Sequence, residues 1–303
     1  MKREKNNVTP DPSPIGSTAG EGRISSTSLP LHFNTVSWGM IIVLLPLLLF
    51  LGCRQGNENL NSNDFNVIST ADEIDMGNRF ATQIEDSMPM YTGVDLNRYI
   101  DSIGQALVRV NDRQDIPTWT FKIVNDPATV NAFAIPGGHI YVYTGLIRTL
   151  DSEAELAAVI GHEISHVAAR HGAEQISKEY AAGVIVSFIL GDSASALDTL
   201  LTNVVTTGVF LKYSRNDELE ADSLGTWYEY QAGWNPDTGM IGTLNVLDSI
   251  AQAQPISMPE FLSTHPDAAS RLEAVHRELD RYRPLTGALR VNRDGYLSHI
   301  RGI

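Results

Sequence analysis

The sequence is short of cysteine and of basic residues. Cys53 is the only cysteine among 303 residues, so no intramolecular disulfide can stabilise the fold. Lysine and arginine number 22 against 36 aspartate and glutamate residues, which gives a formal net charge of −14. Because phosphate binding requires clustered lysine and arginine, this balance argues against a nucleic-acid partner. The acidic surplus favours solubility and indicates little else about function.

Long apolar runs are scarce as well. The run from Met40 to Leu51 (MIIVLLPLLLFL) is shorter than the roughly 20 apolar residues that cross a bilayer, and it suits the hydrophobic part of a secretory signal. It is followed by Gly-Cys, which resembles a bacterial lipoprotein signal that is cleaved before Cys53 so that the thiol can carry lipid. An uncleaved anchor with an incidental cysteine is the alternative. We therefore expect a signal peptide over 1–52 and a lipid-anchored protein in a bacterial cell envelope, facing the periplasm.

The rest of the chain divides into a linker, one domain and a tail. Residues 53–70 begin with the lipidated cysteine, are polar and lack hydrophobic periodicity, so they are predicted to form a flexible linker. Residues 71–283 are long enough for one domain with its own hydrophobic core. Residues 284–303 are polar and ambiguous, and they are set apart as a C-terminal tail.

The domain is predicted to be mostly helical. Apolar residues at helical spacing indicate helices over 74–88 and 96–110. Alternation in 119–126 predicts a strand, and 131–146 predicts a strand on each side of a Pro-Gly-Gly turn. Further helices are predicted to about residue 282, with an apolar core helix at 181–190 and interruptions at 191–192, 233–236 and 265–266.

One predicted helix is alanine-rich and apolar, yet it contains the sequence GHEISH at residues 161–166. Ser152 and Glu155 form an S-x-x-E capping box that starts this helix. Arg170 and His171 are predicted to lie in its last turn, and Gly172 just beyond the end.

The two histidines of this motif can share a ligand. His162 and His166 lie one helical turn apart, so both imidazoles can meet one metal ion at about 2.0–2.1 Å. Glu163 lies at the flank of that face, where it can act as a general base on a water molecule. A solvated stripe on an amphipathic helix is the alternative, and the motif alone does not decide between the two.

A catalytic zinc site needs a third protein ligand. His171 has the wrong spacing for the third histidine of the metzincin pattern, and a positive charge near a helix end is a sufficient reason for its presence. The segment NDELEADSLG, residues 216–225, is a better source. Glu218 is the candidate ligand, and Asp222, on the same helix face, is the candidate acceptor for the free N–H of a ligand histidine.

The same acidic segment also has a purely structural interpretation. Acidic residues near a helix start stabilise the helix dipole, and Ser214 with Asp217 already forms a cap signature. Glu220 points away from Glu218 and Asp222 on helical geometry, and it is expected to be solvated.

Four blocks together resemble one known family. NAFAIPGG, HEISH, ELEAD and STHPDAASR occur in the order and spacing of the HtpX-type zinc metallopeptidases, family forty-eight of the metallopeptidases, which includes the BepA-type periplasmic lipoprotein branch. The resemblance covers about residues 74–281. It implies an α+β fold that is mostly helical and zincin-like, with a small β-sheet packed beside the active-site helix.

The resemblance also implies roles for individual residues. The residues implied to bind one zinc ion per chain are His162, His166 and Glu218, with Glu163 as the base and Asp222 as the partner of a ligand histidine. His265 and Arg271 match the block H-P-x(4)-R. His265 would either stabilise the oxyanion or occupy the open position of the metal in a latent form, and Arg271 would support the site.

The strand of the first block is implied to bind substrate. An extended peptide would add to it as a further strand, along Asn131, Ala132, Phe133 and Ala134. The predicted function is zinc-dependent endoproteolysis of misfolded or unassembled envelope proteins. The alternative is a non-catalytic or latent, chaperone-like lipoprotein whose metal site is structural or plugged. Glu163 favours the enzyme, because a structural site has no use for a base there.

Overall fold

The computed structural model describes residues 66–181, 212–253 and 260–303. The elements in these ranges are α1 (Thr70–Ser87), α2 (Val94–Val108), β1 (Thr120–Val124), β2 (Ala132–Ile135), β3 (His139–Tyr143), α3 (Thr144–Thr149), α4 (Glu153–Ala168), α5 (His171–Ala181), α6 (Arg215–Gln231), α7 (Met240–Ala253), α8 (Glu260–Thr264), α9 (Ala268–Tyr282) and α10 (Arg293–His299). The predicted signal, Cys53, most of the linker, the helix predicted at 181–190 apart from its first residue, and the interruption predicted at 191–192 lie outside these ranges. Within them, no helix has the length and apolar character needed to cross a membrane.

The three strands form a small mixed sheet in the order β1-β3-β2. β1 runs parallel to β3 and β2 runs antiparallel to it, so β2 lies at an edge of the described sheet. Glycine is required in the turn between β2 and β3, because Gly137 and Gly138 have φ values of 85° and 94°. The predicted strands on both sides of this turn are therefore confirmed, as is the strand within 119–126.

Helix α4 lies at the centre of the domain. All of its 16 residues are buried, which explains why the segment is apolar on every side. It packs against α2, α6 and α7 and against strands β2 and β3. The predicted capping box is present, since the Ser152 side chain accepts from the Glu155 backbone and the Glu155 side chain accepts from the Ser152 backbone.

The end of α4 differs from the sequence prediction. The helix ends at Ala168, Arg170 has a left-handed φ of 61°, and His171 begins α5. The placement of Arg170 and His171 in the last turn of α4 was therefore wrong. Contacts from distant parts of the chain hold the left-handed residue, because the Arg170 guanidinium donates to Glu73 at 3.0 Å and to the carbonyl of Ile68.

Glycines allow α4 and α6 to touch along their backbones. A β-carbon on Gly225 would lie 3.0 Å from the backbone nitrogen of His162, and one on Gly161 would lie 3.3 Å from the carbonyl oxygen of Gly225. Both distances are shorter than the ordinary contact between non-bonded heavy atoms, about 3.5–4.0 Å. The close crossing brings the middle of α6, including Asp222, directly beside His162.

The last twenty residues also contact the domain. Helix α10 packs against α2 and α4. Tyr296 is fully buried, and its hydroxyl donates to the carbonyl of Ile147. The segment set apart as a tail therefore contributes a residue to the hydrophobic core.

Candidate metal centre

Four side chains converge where α4 crosses α6. His162, His166, Glu218 and His265 each place one ligand atom within 4.8 Å of the others, and all four residues are buried. Helix α4 supplies the histidine pair, the first turn of α6 supplies Glu218, and the segment between α8 and α9 supplies His265. The structure thus brings the three predicted ligands together and adds His265 to them.

The distances within this group suit ligands around one small cation. Nε2 of His162 lies 3.0 Å from Nε2 of His166, and each of these nitrogens lies 3.5 Å from an oxygen of Glu218. Four ligands placed tetrahedrally at about 2.0–2.1 Å from zinc are separated by about 3.3 Å. Lone pairs of two imidazoles repel each other at such distances unless a cation or a proton lies between them. The residues present therefore fit a metal ion.

His162 is held by charged groups. Its Nδ1 lies 2.9 Å from Asp222, and because Nε2 faces the group of ligands, Nδ1 carries the hydrogen and donates it to the carboxylate. Arg271 donates to both oxygens of Asp222 at 2.7 Å, and its guanidinium also lies 2.8 Å from Glu218. Burial opposes ionisation, yet Arg271 and His162 hold the pKa of Asp222 below its usual range. The carboxylate is therefore ionised.

His166 is held by two aromatic rings. Its Nδ1 lies 2.9 Å from Nδ1 of His171, and Tyr213 stacks on its imidazole with 3.7 Å between ring centroids. Burial, together with the neighbouring histidines and Arg271, lowers the pKa of His166 well below its usual value, so the ring is neutral, as a metal ligand must be. The interpretation of His171 as a charge at a helix end was wrong, because its side chain is buried and contacts His166. Sequence reasoning also missed Tyr213, which lies outside every motif.

Glu220 lies apart from the four converging residues, as predicted from helical geometry. Its side chain is 30% exposed, but it is not purely solvated, because an oxygen lies 3.4 Å from Nε2 of His171. Asp217 and Ser214 form the predicted cap, with both reciprocal hydrogen bonds present. The start of α6 therefore satisfies its own backbone and leaves Glu218 free to face the histidines.

Glu163 is buried beside the ligands without a good hydrogen bond. Neither of its oxygens has a hydrogen-bond partner among the described residues. The groups that approach it are the backbone N–H of Ala134 and Nε2 of His265, the latter at 3.6 Å. Burial raises the pKa of Glu163, although the neighbouring histidines lower it in part. A buried carboxyl group that lacks a well-formed hydrogen bond costs stability, so its position next to the ligands indicates a chemical role.

His265 bridges the ligand side and the base side of the site. Its Nδ1 lies 2.9 Å from Glu218 and 3.3 Å from Nε2 of His162. Burial alone would lower the pKa of His265, but the carboxylates of Glu218 and Glu163 raise it. The ring is thus placed either to complete a set of four ligands or to donate a hydrogen bond beside the metal.

The predicted substrate strand runs along α4. Ala132 and Ala134 of β2 are buried, whereas Phe133 is half-buried and stacks on Tyr141 with ring centroids 4.9 Å apart. Asn131, which precedes the strand, is buried, and its side-chain carbonyl has no hydrogen-bond partner within the described ranges. β2 and Glu163 of α4 therefore lie on neighbouring elements, and the backbone N–H of Ala134 approaches the Glu163 carboxylate.

Residues 95–279 match the sequence model of Peptidase family M48. The chain belongs to that family. It is 31% identical to the beta-barrel assembly-enhancing protease of Escherichia coli over 243 residues, which are 77% of this chain and 49% of that protein. It is 32% identical to the mitochondrial metalloendopeptidase OMA1 of Schizosaccharomyces pombe over 181 residues, 60% of this chain and 52% of that protein.

The chain spans about half the length of these relatives. The predicted family and the predicted fold, mostly helical with a small sheet beside the central helix, are confirmed. Members of this family are metallopeptidases, and the buried group of His162, His166 and Glu218 is the place where this chain would hold the catalytic metal.

Proposed function

We propose that this chain is a zinc-dependent metalloendopeptidase in which His162, His166 and Glu218 bind one zinc ion. The convergence of these three side chains beside Glu163, a buried carboxylate with no hydrogen-bond partner for either oxygen among the described residues, carries the proposal. Imidazole ligands favour zinc over magnesium or calcium, which prefer sets of oxygen ligands. The names of two relatives, a protease and a metalloendopeptidase, support the same reaction class.

Glu163 would act as the general base and then as the general acid. When bound, zinc would supply a Lewis acid that polarises the peptide carbonyl and favours deprotonation of water. Glu163 takes a proton from the attacking water and returns it to the leaving amine nitrogen. The raised pKa of Glu163 suits these two proton transfers, because the carboxyl group must hold the proton between them.

The edge of β2 would bind the substrate. An extended peptide can add to an exposed strand edge through backbone hydrogen bonds. The unpaired side-chain carbonyl of Asn131 would accept an N–H group, and the strand would carry the scissile bond along α4 towards Glu163. The residues that would form this edge are Asn131, Ala132, Phe133 and Ala134.

His265 would keep the site latent. Its Nδ1 lies 2.9 Å from Glu218 and 3.3 Å from Nε2 of His162, distances similar to the 3.0 Å between the two ligand nitrogens of His162 and His166. The ring therefore takes the fourth position around the metal site, which water or substrate needs. An oxyanion donor, in contrast, would face the substrate carbonyl and leave this position open. Of the two roles that the family resemblance implies for His265, this geometry supports the one in which His265 occupies the open position of the metal.

Casein hydrolysis by the full-length protein in detergent tests the proposal, with zinc measured in every sample. His265→Ala should hydrolyse casein faster than the wild type, and the double variant with Glu163→Gln should be inactive while it keeps its zinc. A decrease of about 10²–10³ in His265→Ala at unchanged zinc would instead assign oxyanion stabilisation to His265. If neither the wild type nor His265→Ala hydrolysed casein, absence of zinc from both would contradict the metalloendopeptidase, and full zinc in both would favour a chaperone-like protein.

We place the enzyme in the bacterial envelope, anchored by lipid on Cys53, with misfolded or unassembled proteins as substrates. The sequence Gly52-Cys53 after the apolar run supports the anchor, and the name of the Escherichia coli relative, which refers to beta-barrel assembly, supports unassembled proteins as substrates. Cys53→Ser should release the protein from membranes or leave a slower-migrating precursor. A variant that fractionates and migrates like the wild type would contradict the anchor.

A further inference from the structure

His171 makes a contact that the family motifs do not use. It is the first residue of α5, its side chain is 1% exposed, and both of its ring nitrogens face a polar neighbour. Nδ1 lies 2.9 Å from Nδ1 of His166, and Nε2 lies 3.4 Å from an oxygen of Glu220. A histidine that only balanced a helix dipole would not need a polar neighbour at each of its ring nitrogens.

The direction of these hydrogen bonds follows from the orientation of His166. Its Nε2 faces the other ligand atoms, so that nitrogen must be free of hydrogen when a metal is bound. The hydrogen of His166 is then on Nδ1, and it can only be donated to Nδ1 of His171. His171 in turn carries its hydrogen on Nε2, which points at the carboxylate of Glu220.

Two further features fix this arrangement. The left-handed turn at Arg170 brings His171 back towards His166, and that turn is held by Glu73. The stacked ring of Tyr213 limits rotation of the His166 imidazole. The His166 ring is therefore restrained by a hydrogen bond at its edge and by an aromatic ring on its face.

We propose that His171 is a positioning residue that accepts the Nδ1 hydrogen of His166 and thereby directs Nε2 of His166 at the metal. Glu220 orients His171 through its 3.4 Å contact with Nε2 of His171. The inference rests on the proposed function, because it assumes that His166 is a metal ligand. In metal sites generally, removal of such a partner lowers metal affinity by about 10–100-fold.

Metal affinity of the full-length chain tests this proposal without any reference to activity. The protein would be stripped with a chelator and titrated with zinc against a competing chelator, and then with cobalt to record the absorption spectrum of the bound ion. His171→Ala should bind zinc about 10–100-fold more weakly and shift the cobalt spectrum. His171→Asn should recover most of both, because its side-chain oxygen can replace Nδ1 as the acceptor. Glu220→Gln should change affinity less than His171→Ala.

His276→Ala is the matched control, because His276 is an exposed histidine on α9. It should bind zinc like the wild type. Equal affinity in His171→Ala and wild type would overturn the proposal and leave the proposed function intact, and so would an Asn variant as weak as the Ala variant. A wild-type chain that binds no zinc would overturn both.

Discussion

His162 and His166 lie one turn apart on the same helix, but their surroundings differ in charge. His162 donates to a carboxylate that is itself held by the two-pronged contact of Arg271. His166 donates to another imidazole and is covered by the ring of Tyr213. The first histidine is thus oriented by a buried ion pair and the second by hydrogen bonding and stacking between rings.

The difference has an energetic consequence. Breaking a buried ion pair leaves an uncompensated charge, which costs about 3–5 kcal/mol. Removing one partner of a hydrogen bond between uncharged groups leaves a buried donor or acceptor, which costs about 1–3 kcal/mol. The residues around His162 (Asp222 and Arg271, the His162 side) should therefore govern the stability of the metal-free protein. The residues around His166 (His171 and Tyr213, the His166 side) should act mainly on metal affinity.

Arg271→Ala should have the largest effect on stability. It leaves the buried carboxylates of Asp222 and Glu218 without their shared cation, so we expect the free energy of unfolding of the metal-free protein to fall by about 3–5 kcal/mol. Urea unfolding monitored by circular dichroism measures this. Arg277→Ala is the control, because its ion pair with Glu273 is exposed at 64% and 77% and should contribute about 0–1 kcal/mol. If His171→Ala destabilised the protein as much as Arg271→Ala, the contrast between the two sides would be wrong.

Gly225→Ala should have the next largest effect on stability, because Gly225 lies where α6 crosses α4, the helix that carries both histidines. The new β-carbon would meet backbone atoms of Gly161 and His162 at 3.0–3.1 Å. Overpacking of this kind costs about 1–3 kcal/mol, against a gain of at most about 1 kcal/mol in helix propensity. We expect lower stability together with weaker zinc binding, measured by urea unfolding and chelator competition. Ser223→Ala, on the same helix, should change neither, and a Gly225→Ala variant that gained stability would show that the helices separate easily.

Near pH 5 Glu229→Gln should have the smallest effect of the three variants, and the effect grows with pH. Glu229 is on the same helix as Glu218, but it is buried without a cation: burial raises its pKa, and the carboxyl groups of Asp237 and Glu155 add to the effect. The folded protein therefore keeps a proton that the unfolded chain loses above its ordinary pKa of about 4.3, and wild-type stability falls as pH rises from there.

The glutamine side chain of the Glu229→Gln variant does not titrate. Above pH 4 the free energy of unfolding of the variant should therefore exceed that of the wild type by up to about 1.4 kcal/mol per pH unit, and below pH 4 the two should be equal. Urea unfolding between pH 4 and 7 checks this, with Glu273→Gln as an exposed control that follows the wild type. Parallel curves for Glu229→Gln and wild type would mean that Glu229 is ionised in the folded protein. Glu218, whose pKa is lowered by His265 and Arg271 against the effect of burial, illustrates the opposite case on this helix.

Local signals predicted much of the fold and of the site. The capping box at Ser152, the glycine turn after β2 and the helical spacing of His162 and His166 depend on neighbouring residues, and each appears in the structure as expected. Glu218 was harder to assign, since acidic residues at a helix start are common. Its position near the histidines became clear only from the crossing of α4 with α6.

The features that sequence reasoning missed depend on distant contacts. The left-handed Arg170 is held by Glu73 and Ile68, so nothing in Arg170-His171-Gly172 indicated that His171 would begin a new helix. Tyr213 reaches His166 from a separate part of the chain. Tyr296 in the last twenty residues is anchored by Ile147, and its polar neighbours gave no sign of that contact.

Zinc stoichiometry in two variants of one helix tests the ligand assignment most directly. Glu218→Gln and Glu220→Gln remove one carboxylate each, but only Glu218 lies 3.5 Å from the Nε2 atoms of both histidines. We predict about one zinc per wild-type chain after dialysis, nearly the same in Glu220→Gln, and a large loss in Glu218→Gln. Equal zinc in the two variants, whether both retain it or both lose it, would contradict Glu218 as the third ligand.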